Sequence, residues 1–248
     1  MTKESENMND TGMKRGMALM QQHLDDQERP RQFELLGRTW DLLEGVFCPS
    51  YTPVTELFSS WLPYPVGGSF LEMGSGAGVT AVVAVQSGCA KACALDISAA
   101  AVENSRRNAV RHGVDDRVRV LRSEMFAALS REERFDMIYW NSNFAEAPAE
   151  FVNETDLHHS FFDPAYVSHR RYLREAPRHL TADGRLLLGF ASIGNAGLLL
   201  RVASDAGLDC DVLCAVTRGL EITLEFRLLE FRPAAGRSWS DLAAGTRP

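Results

Sequence analysis

An apolar run that breaks into three closely spaced glycines constrains the fold of this chain more than any other feature. The stretch FLEMGSGAGVTAV places Gly74, Gly76 and Gly78 between an apolar segment and a segment rich in valine and alanine. Glycine is favoured where the backbone needs a positive φ or approaches a ligand closely, and a helix that follows offers free N–H groups. The pattern predicts a strand, a loop and a helix. Alone it does not distinguish a nucleotide site from an ordinary tight turn.

Short apolar runs alternate with helical segments after Ser69. Strands are predicted in SFLEMG, ACALDI, RVRVLRS, FDMIYW and GRLLLGFA. Helices are predicted in GVTAVVAVQSG, SAAAVENSRRNAVRHG and the segment ending RRYLREAPRHL. This alternation is typical of a parallel sheet covered on both faces. Two further strands around Gly219 predict an antiparallel hairpin near the C-terminus.

Two amphipathic stretches precede the glycine loop, and both are predicted to be helices. Their apolar residues recur at helical spacing: Met13, Met17, Met20 and Leu24 in the first, and Phe33, Leu36, Trp40 and Leu43 in the second. They either pack against the rest of the chain or form a lid over a ligand site. We therefore divide the chain into a helical extension or lid over 1–45 and a main domain over 46–248.

The net charge of −7 leaves no basic surface to compete for a polyphosphate backbone. We expect a small-molecule partner and no nucleic acid. No apolar run reaches membrane length, and the start, MTKESENMND, lacks the layout of a signal peptide. The expectation is a cytoplasmic protein with no membrane partner, while the oligomeric state stays open.

Cysteines and histidines do not indicate a metal site. The five cysteines, Cys48, Cys89, Cys93, Cys210 and Cys214, show no CxxC spacing, so reduced thiols are expected. The adjacent His158 and His159 have no third ligand at useful spacing, and no metal is expected.

Acidic residues follow the next two strands at positions suited to a nucleoside. Asp96 ends a strand eighteen positions after Gly78, where a carboxylate can accept from ribose hydroxyls. It could instead cap the helix that starts near Ser98. Glu124 could accept from an adenine amino group, with Met125 in apolar contact.

The loop reads E-x-G-x-G-x-G, with Glu72 on the strand, and resembles class I S-adenosylmethionine-dependent methyltransferases. The order of VFCPSYTPVTELF, FLEMGSGAGVTAV, ALDISAAAVENSRRNAVRHG, SEMFAAL, FDMIYWNSNF and LREAPRHLTADGRLLLGF resembles the HemK-like branch. The resemblance implies an α/β, Rossmann-like class I methyltransferase fold with a mostly parallel seven-stranded sheet, a C-terminal antiparallel hairpin and an N-terminal helical extension. It also implies S-adenosylmethionine as cofactor. The cofactor-binding residues it implies are Glu72, Gly74, Gly76, Gly78, Asp96, Ile97, Glu124, Met125 and Asn141.

The stretch YWNSNFAE differs from the sequence motif that HemK-like enzymes carry at this position. HemK-like enzymes carry Asn-Pro-Pro-Tyr, which holds a planar nitrogen against the cofactor's methyl carbon. Here Asn141 is kept, but Ser142, Asn143 and Phe144 replace Pro, Pro and Tyr. A release-factor glutamine or a base amine is therefore not the expected target. A plain polar loop is the competing interpretation.

The altered stretch and the leader helices resemble bacterial azetidine-2-carboxylate synthases. In that reaction the cofactor's own amine attacks its γ-carbon, closes a four-membered ring and releases methylthioadenosine. We favour this cyclisation, with a small-molecule N-methyltransferase as the alternative and a non-catalytic binding protein as a third reading. The candidate catalytic residues are Asn141, Asn143, Tyr139, Phe144, Tyr166 and Tyr172.

Overall fold

The computed structural model describes residues 3–26, 29–219 and 223–245. Its helices are α1 (Lys3–Asp25), α2 (Val54–Trp61), α3 (Val79–Gln86), α4 (Ala99–Arg111), α5 (Val167–Glu175), α6 (Ala196–Asp205) and α7 (Trp239–Gly245). Its strands are β1 (Gln32–Leu35), β2 (Arg38–Asp41), β3 (Ser69–Met73), β4 (Lys91–Asp96), β5 (Val118–Arg122), β6 (Phe135–Asn141), β7 (Ala145–Ala147), β8 (Phe162–Pro164), β9 (Leu180–Ala191), β10 (Leu208–Gly219) and β11 (Thr223–Pro233). Short 3₁₀ turns cover Pro49–Tyr51, Asp156–Ser160 and Ala176–His179.

The central sheet has seven strands in the order β10-β11-β9-β6-β3-β4-β5. β9, β6, β3, β4 and β5 run parallel, and β11 pairs antiparallel with both β9 and β10. Helices cover the sheet, and buried side chains form one large cluster on each side of it. The predicted Rossmann-like α/β fold, including the C-terminal antiparallel hairpin, is confirmed.

The middle of the sheet fixes where a ligand site can form. All five residues of β3 are buried, and its neighbours β4 and β6 run in the same direction. Because the carboxyl ends of parallel strands meet at one edge of a sheet, the glycine loop after β3, Asp96 and Asn141 share that edge. Residues far apart in the sequence are thereby brought to one place.

The predicted second helix of the extension is wrong, because β1 and β2 form an antiparallel hairpin there. Phe33 pairs with Trp40, and positive φ angles at Leu36 (53°) and Gly37 (67°) make the two-residue turn. The apolar residues fitted a helical period, but the alternation of exposed and buried positions in QFEL and the glycine turn favour a hairpin. The side chains of Asn104 and Asn108 on α4 accept from the backbone N–H groups of Leu43 and Asp41 and hold the hairpin in place.

The first helix is present, and it begins ten residues before Met13, the first residue of its predicted apolar spacing. Two of its glycines approach other elements closely. A Cβ on Gly12 would lie 2.5 Å from the Ile193 carbonyl oxygen, and one on Gly16 would lie 2.6 Å from the Phe162 ring. The helix therefore packs through glycine backbone at a distance that larger residues would not allow. The division into residues 1–45 and 46–248 stays a prediction.

Candidate active site

A cavity of about 620 Å³ opens at the carboxyl edge of the sheet. The glycine loop, the ends of β4 and β6, and one face of α1 line it. We call residues 74–78 with Asp96 the glycine-loop end, and Asn141, Asn143 and Asn153 the amide end. Both ends line the same cavity.

The glycine loop is a left-handed turn held against neighbouring elements. Gly78 has a φ of 78°, and a Cβ there would lie 2.8 Å from the Ser105 Cα, so glycine is required both for its backbone angle and for space. The Ser105 hydroxyl donates to the Gly76 carbonyl at 3.0 Å, and the Asn108 amide donates to the Ala77 carbonyl at 2.8 Å. The loop is thus fixed by α4.

Glu72 is buried at the end of β3, where its carboxyl accepts from the Ala81 N–H at 2.9 Å. Burial raises the pKa of Glu72 to about 8, against the opposing hydrogen bonds from Thr80 and Ala81. At neutral pH this carboxyl is therefore mostly protonated. A cation in the cavity would favour its ionised form.

Asp96 bonds the loop to the start of α4. One carboxyl oxygen accepts from the Gly76 N–H and the other from the Ser98 N–H, both at 2.9 Å. The helix cap itself is Ser98, whose hydroxyl accepts from the Ala101 N–H. Burial raises the pKa of Asp96, while these backbone hydrogen bonds oppose the shift. Asp96 and Ile97 both line the cavity, in the place predicted for a nucleoside.

Glu124 and Met125 also line the cavity. Met125 has a φ of 49°, which turns the chain after β5, and the Ser123 hydroxyl donates to its carbonyl at 2.7 Å. The Glu124 side chain is 67% exposed and pairs with Arg171 of α5. An adenine contact by Glu124 stays a prediction.

The stretch from Asn141 to Phe144 follows β6 and enters the cavity. The Ser142 hydroxyl donates to the Gly189 carbonyl at 2.8 Å, and the Asn143 amide donates to the carbonyls of Phe162 and His159 at 2.8 and 3.2 Å. Asn141, Asn143 and Phe144 all line the cavity, as does Trp140. Asn143 therefore anchors the wall of the cavity with its NH₂ group and keeps its oxygen for another partner.

Buried oxygen atoms without partners concentrate here. In the described part of the chain, eight buried side-chain nitrogen or oxygen atoms have no hydrogen-bond partner. Four of them belong to residues that line this cavity: Thr52 Oγ1 and the Oδ1 atoms of Asn141, Asn143 and Asn153. Because an unpaired buried polar atom costs roughly 1–3 kcal/mol, such a group favours a ligand that supplies N–H donors.

The three candidate tyrosines do not line the cavity. Tyr139 is buried on β6 facing Phe70, and the Tyr172 hydroxyl donates to the Leu187 carbonyl at 2.7 Å. The Tyr166 hydroxyl donates to the Phe144 carbonyl at 2.7 Å and accepts from the Asn195 N–H. Their hydroxyls lie in the core or brace the loop. Tyr139 faces away from the cavity because neighbours on a strand face opposite sides of the sheet and Trp140 takes the cavity side. A direct contact between these tyrosines and a bound molecule has no support in this geometry.

Several cavity residues were missed from the sequence. Asp163 lies in β8, fully buried, with one carboxyl oxygen 2.7 Å from the His169 Nδ1. Burial would raise the pKa of Asp163, but the hydrogen bonds from His169 and two backbone N–H groups outweigh it, and the pKa is lowered. From α1, Gly12, Arg15, Gly16 and Leu19 line the cavity. Two glycines four residues apart in a helix were the available signal, because each costs about 1 kcal/mol and needs a packing reason.

Within the described residues, no group of three or more His, Cys, Asp or Glu side chains is placed to hold a metal ion. Nor does any helix in that part of the chain have the length and apolar character needed to cross a membrane. Cys48, Cys89 and Cys93 are buried free thiols, and Cys210 and Cys214 are partly exposed.

Comparison with known proteins gives a family match over the centre of the chain. A model described as the methyltransferase small domain matches residues 39–195. The ribosomal protein uL3 glutamine methyltransferase of Bradyrhizobium diazoefficiens is 38% identical over 100 residues, which are 38% of this chain and 31% of the relative. The release factor glutamine methyltransferase of Bordetella pertussis is 33% identical over 130 residues, 50% of this chain and 46% of the relative. The chain thus spans less than half the length of these curated relatives.

Solved structures share the fold. The ribosomal protein L11 methylase of Lactobacillus delbrueckii subsp. bulgaricus superposes with a TM-score of 0.51 at 15% identity, covering 73% of this chain and 78% of the other. A Streptococcus pneumoniae protein named for tRNA (m1A22) methylation has a TM-score of 0.53 at 15% identity, covering 79% and 76%. At these identities the likeness concerns the fold alone.

The expectation of a small-molecule partner and no nucleic acid is wrong. The curated relatives are named for a ribosomal protein and a release factor, which are macromolecules and not small molecules. Net charge was a poor predictor of the partner because it is a sum over the whole chain, whereas binding of a partner depends on the charge of the local surface. Beside the cavity, one groove is lined by five arginines and three carboxylates: Arg170, Arg171, Arg174, Arg178 and Arg237 with Glu175, Asp205 and Asp241.

Proposed function

Because the chain belongs to the methyltransferase small domain family, for which S-adenosylmethionine is the cofactor, we propose that it transfers a methyl group to a side-chain nitrogen of a protein. The two relatives named above modify glutamine in a ribosomal protein or a release factor, which supports a protein as the acceptor. Asn141 is the residue of the HemK-like stretch that this chain keeps, and the next three positions differ. The proposal therefore names a side-chain nitrogen and leaves the residue type to experiment.

The residues present fit this cofactor. The glycine-loop end offers a close backbone approach and the buried carboxyl of Asp96 for a nucleoside. Glu72 lies next to the loop and would be ionised by a cationic amino acid tail. When bound, the cofactor supplies a methyl carbon on a sulfonium, which is a good leaving group.

The observation that carries the proposal is the unpartnered Oδ1 of Asn141 in the same cavity as the glycine loop. This oxygen would accept an N–H of the acceptor and direct the nitrogen lone pair toward the methyl group. Asn143 holds the adjoining wall through its bonds to the 3₁₀ turn and β8. Attack by a neutral nitrogen depends chiefly on holding that nitrogen in line with the methyl carbon at about 3 Å. Asn141 and Asn143 would provide this alignment.

Cyclisation of the cofactor to azetidine-2-carboxylate is a second candidate, favoured by one observation. Helix α1 lies over the cavity, with Gly12 and Gly16 in close contact with Ile193 and Phe162. A covered site suits a reaction that needs no second substrate and excludes water. The relatives give this reading no support, so methyl transfer stands first.

One experiment separates the two reactions. The purified chain is incubated with methyl-labelled S-adenosylmethionine, with and without ribosomal subunits and release factors, beside reactions that lack enzyme. Label in a protein, recovered after hydrolysis as an N-methyl amino acid with an equal amount of S-adenosylhomocysteine, supports the first proposal. Acceptor-free release of methylthioadenosine with an equal amount of azetidine-2-carboxylate replaces it with the second. Tight binding of S-adenosylhomocysteine with neither product contradicts both.

A further inference from the structure

One face of α1 lies against the cavity at its amide end. Gly12, Arg15, Gly16 and Leu19 line the cavity and follow the helical spacing of a single face. Gly12 meets the Ile193 backbone and Gly16 meets Phe162, whose carbonyl accepts from Asn143. Arg15 lies between the two glycines on the same face and also lines the cavity.

Charge in the cavity is unevenly distributed. Carboxyl groups line it at Glu72, Asp96, Glu124, Asp156 and Asp163. Among the described lining residues, arginine occurs at Arg15 and Arg171, and lysine at none. Arg171 pairs with Glu124 and Glu175, near the predicted adenine position. Burial lowers the pKa of His159, which disfavours the charged form of its imidazole.

The cofactor carries a carboxylate at the far end of its amino acid tail from the nucleoside. A carboxylate in a partly covered cavity requires a cation or several N–H donors, and guanidinium is the side chain that matches it in two parallel bonds. The buried oxygens of the amide end are acceptors and cannot serve it. Among the described residues that line the cavity, Arg15 is the cation contributed by α1, the helix that packs at this end.

We propose that Arg15 binds the carboxylate of the S-adenosylmethionine tail, so that α1 forms part of the cofactor site and is more than a cover. This inference rests on the proposed function, since it assumes that cofactor. It explains why a helix interior contains two glycines at Gly12 and Gly16: they bring the helix backbone close enough for Arg15 to reach the ligand.

The test compares two ligands that differ only in the carboxylate. Binding of S-adenosylhomocysteine and of S-adenosyl-3-thiopropylamine, its decarboxylated form, is measured by calorimetry on the full chain and on Arg15→Gln. Loss of one charge-assisted contact predicts about 10- to 100-fold weaker binding of S-adenosylhomocysteine, with the decarboxylated ligand changed less than about threefold. Arg15→Lys should recover part of the loss, because it keeps the charge without the planar fork.

Lys14→Gln is the matched control. It removes one positive charge from the next position of the same helix, where the side chain is exposed and does not line the cavity. Both ligands should bind this variant as they bind the unmodified chain. A loss equal to that of Arg15→Gln would mean that general charge on α1 is responsible and would overturn the proposal.

Two other results would also overturn it. Unchanged S-adenosylhomocysteine affinity in Arg15→Gln would mean that groups other than Arg15 bind the carboxylate of the ligand. Equal weakening of both ligands would mean that Arg15 only holds α1 in place. Either result leaves the proposed function standing, whereas failure of the unmodified chain to bind both ligands would remove the cofactor site itself.

Discussion

The two ends of the cavity differ in how completely their polar atoms are satisfied by the protein itself. At the glycine-loop end, both carboxyl oxygens of Asp96 accept backbone N–H groups, and the loop carbonyls of Gly76 and Ala77 accept from α4. At the amide end, three asparagine oxygens are buried without a partner. One end is fixed before any ligand binds, and the other is completed only by a ligand.

This difference separates binding from specificity. A rigid, satisfied loop suits a ligand common to a whole family, because little has to be reorganised on binding. Unsatisfied acceptors are costly unless a donor arrives, so they select the molecule that supplies one. Substitutions at the two ends should therefore separate affinity for the cofactor from the rate of reaction.

The largest effect is expected on the reaction rate, from Asn141→Ala. Removal of the oxygen that we propose aligns the attacking nitrogen should lower turnover by about 100- to 1000-fold, the range seen when one orienting hydrogen bond is lost. Affinity for S-adenosylhomocysteine should stay within about threefold. Product formation and calorimetry on the same preparation measure both quantities. Unchanged turnover would reduce Asn141 to part of a polar loop.

The second prediction concerns affinity. Asp96→Ala should weaken binding of S-adenosylhomocysteine by about 100-fold, because it removes the proposed nucleoside acceptor and frees the Gly76 and Ser98 N–H groups together. Asp116→Ala is the control, since its carboxylate is 77% exposed and lies at 3.9 Å from Arg117. Full affinity in Asp96→Ala would break the assignment of this end to the cofactor.

The third prediction concerns how the free energy of unfolding depends on pH through Glu72, the buried carboxyl beside the glycine-loop end. Its pKa of about 8 in the fold exceeds the ordinary 4.5, so between these values the folded state binds the extra proton. The contribution of the protonated Glu72 carboxyl to the free energy of unfolding is fully present below about pH 4.5 and is lost as the pH rises through about 8. Urea unfolding of the unmodified chain should show a steeper fall in stability from pH 5 to 8 than Glu72→Gln. Saturating S-adenosylhomocysteine should flatten the difference, because its ammonium favours the ionised carboxyl. Identical slopes without ligand would show that Glu72 ionises normally.

The glycine-loop end was predictable because its constraints are local. Three glycines, an acidic strand end and the parallel alternation are all visible in one pass, and parallel strands bring their ends together. The amide end depends on tertiary contacts. Asn143 is oriented by carbonyls 16 and 19 positions away, and Tyr166 braces Phe144 from outside the cavity.

The N-terminal extension was predicted incorrectly for a different reason. Its second apolar stretch fits both a helix and a hairpin, and the turn at Leu36 and Gly37 decided between them. A lone Leu-Gly pair is a weak turn signal compared with Asn-Gly or Asp-Gly. The contribution of Arg15 could not be read from periodicity, because its importance comes from where α1 docks.

The smallest expected effect tests whether α1 covers the amide end at all. Alanine is the better helix former by about 1 kcal/mol, so a glycine that touches nothing should gain stability when replaced. Gly197→Ala, at an exposed position in the first turn of α6 with only ordinary contacts, provides that reference, with a gain below the full interior value. Gly12→Ala should instead lose about 1 kcal/mol, because its Cβ meets a backbone oxygen at 2.5 Å that cannot turn aside. Urea unfolding gives both values, and hydrogen exchange over residues 11–25 should rise only in Gly12→Ala. If both variants gained stability equally, α1 would not pack against Ile193, and the amide end would be open to an acceptor without any movement of the helix.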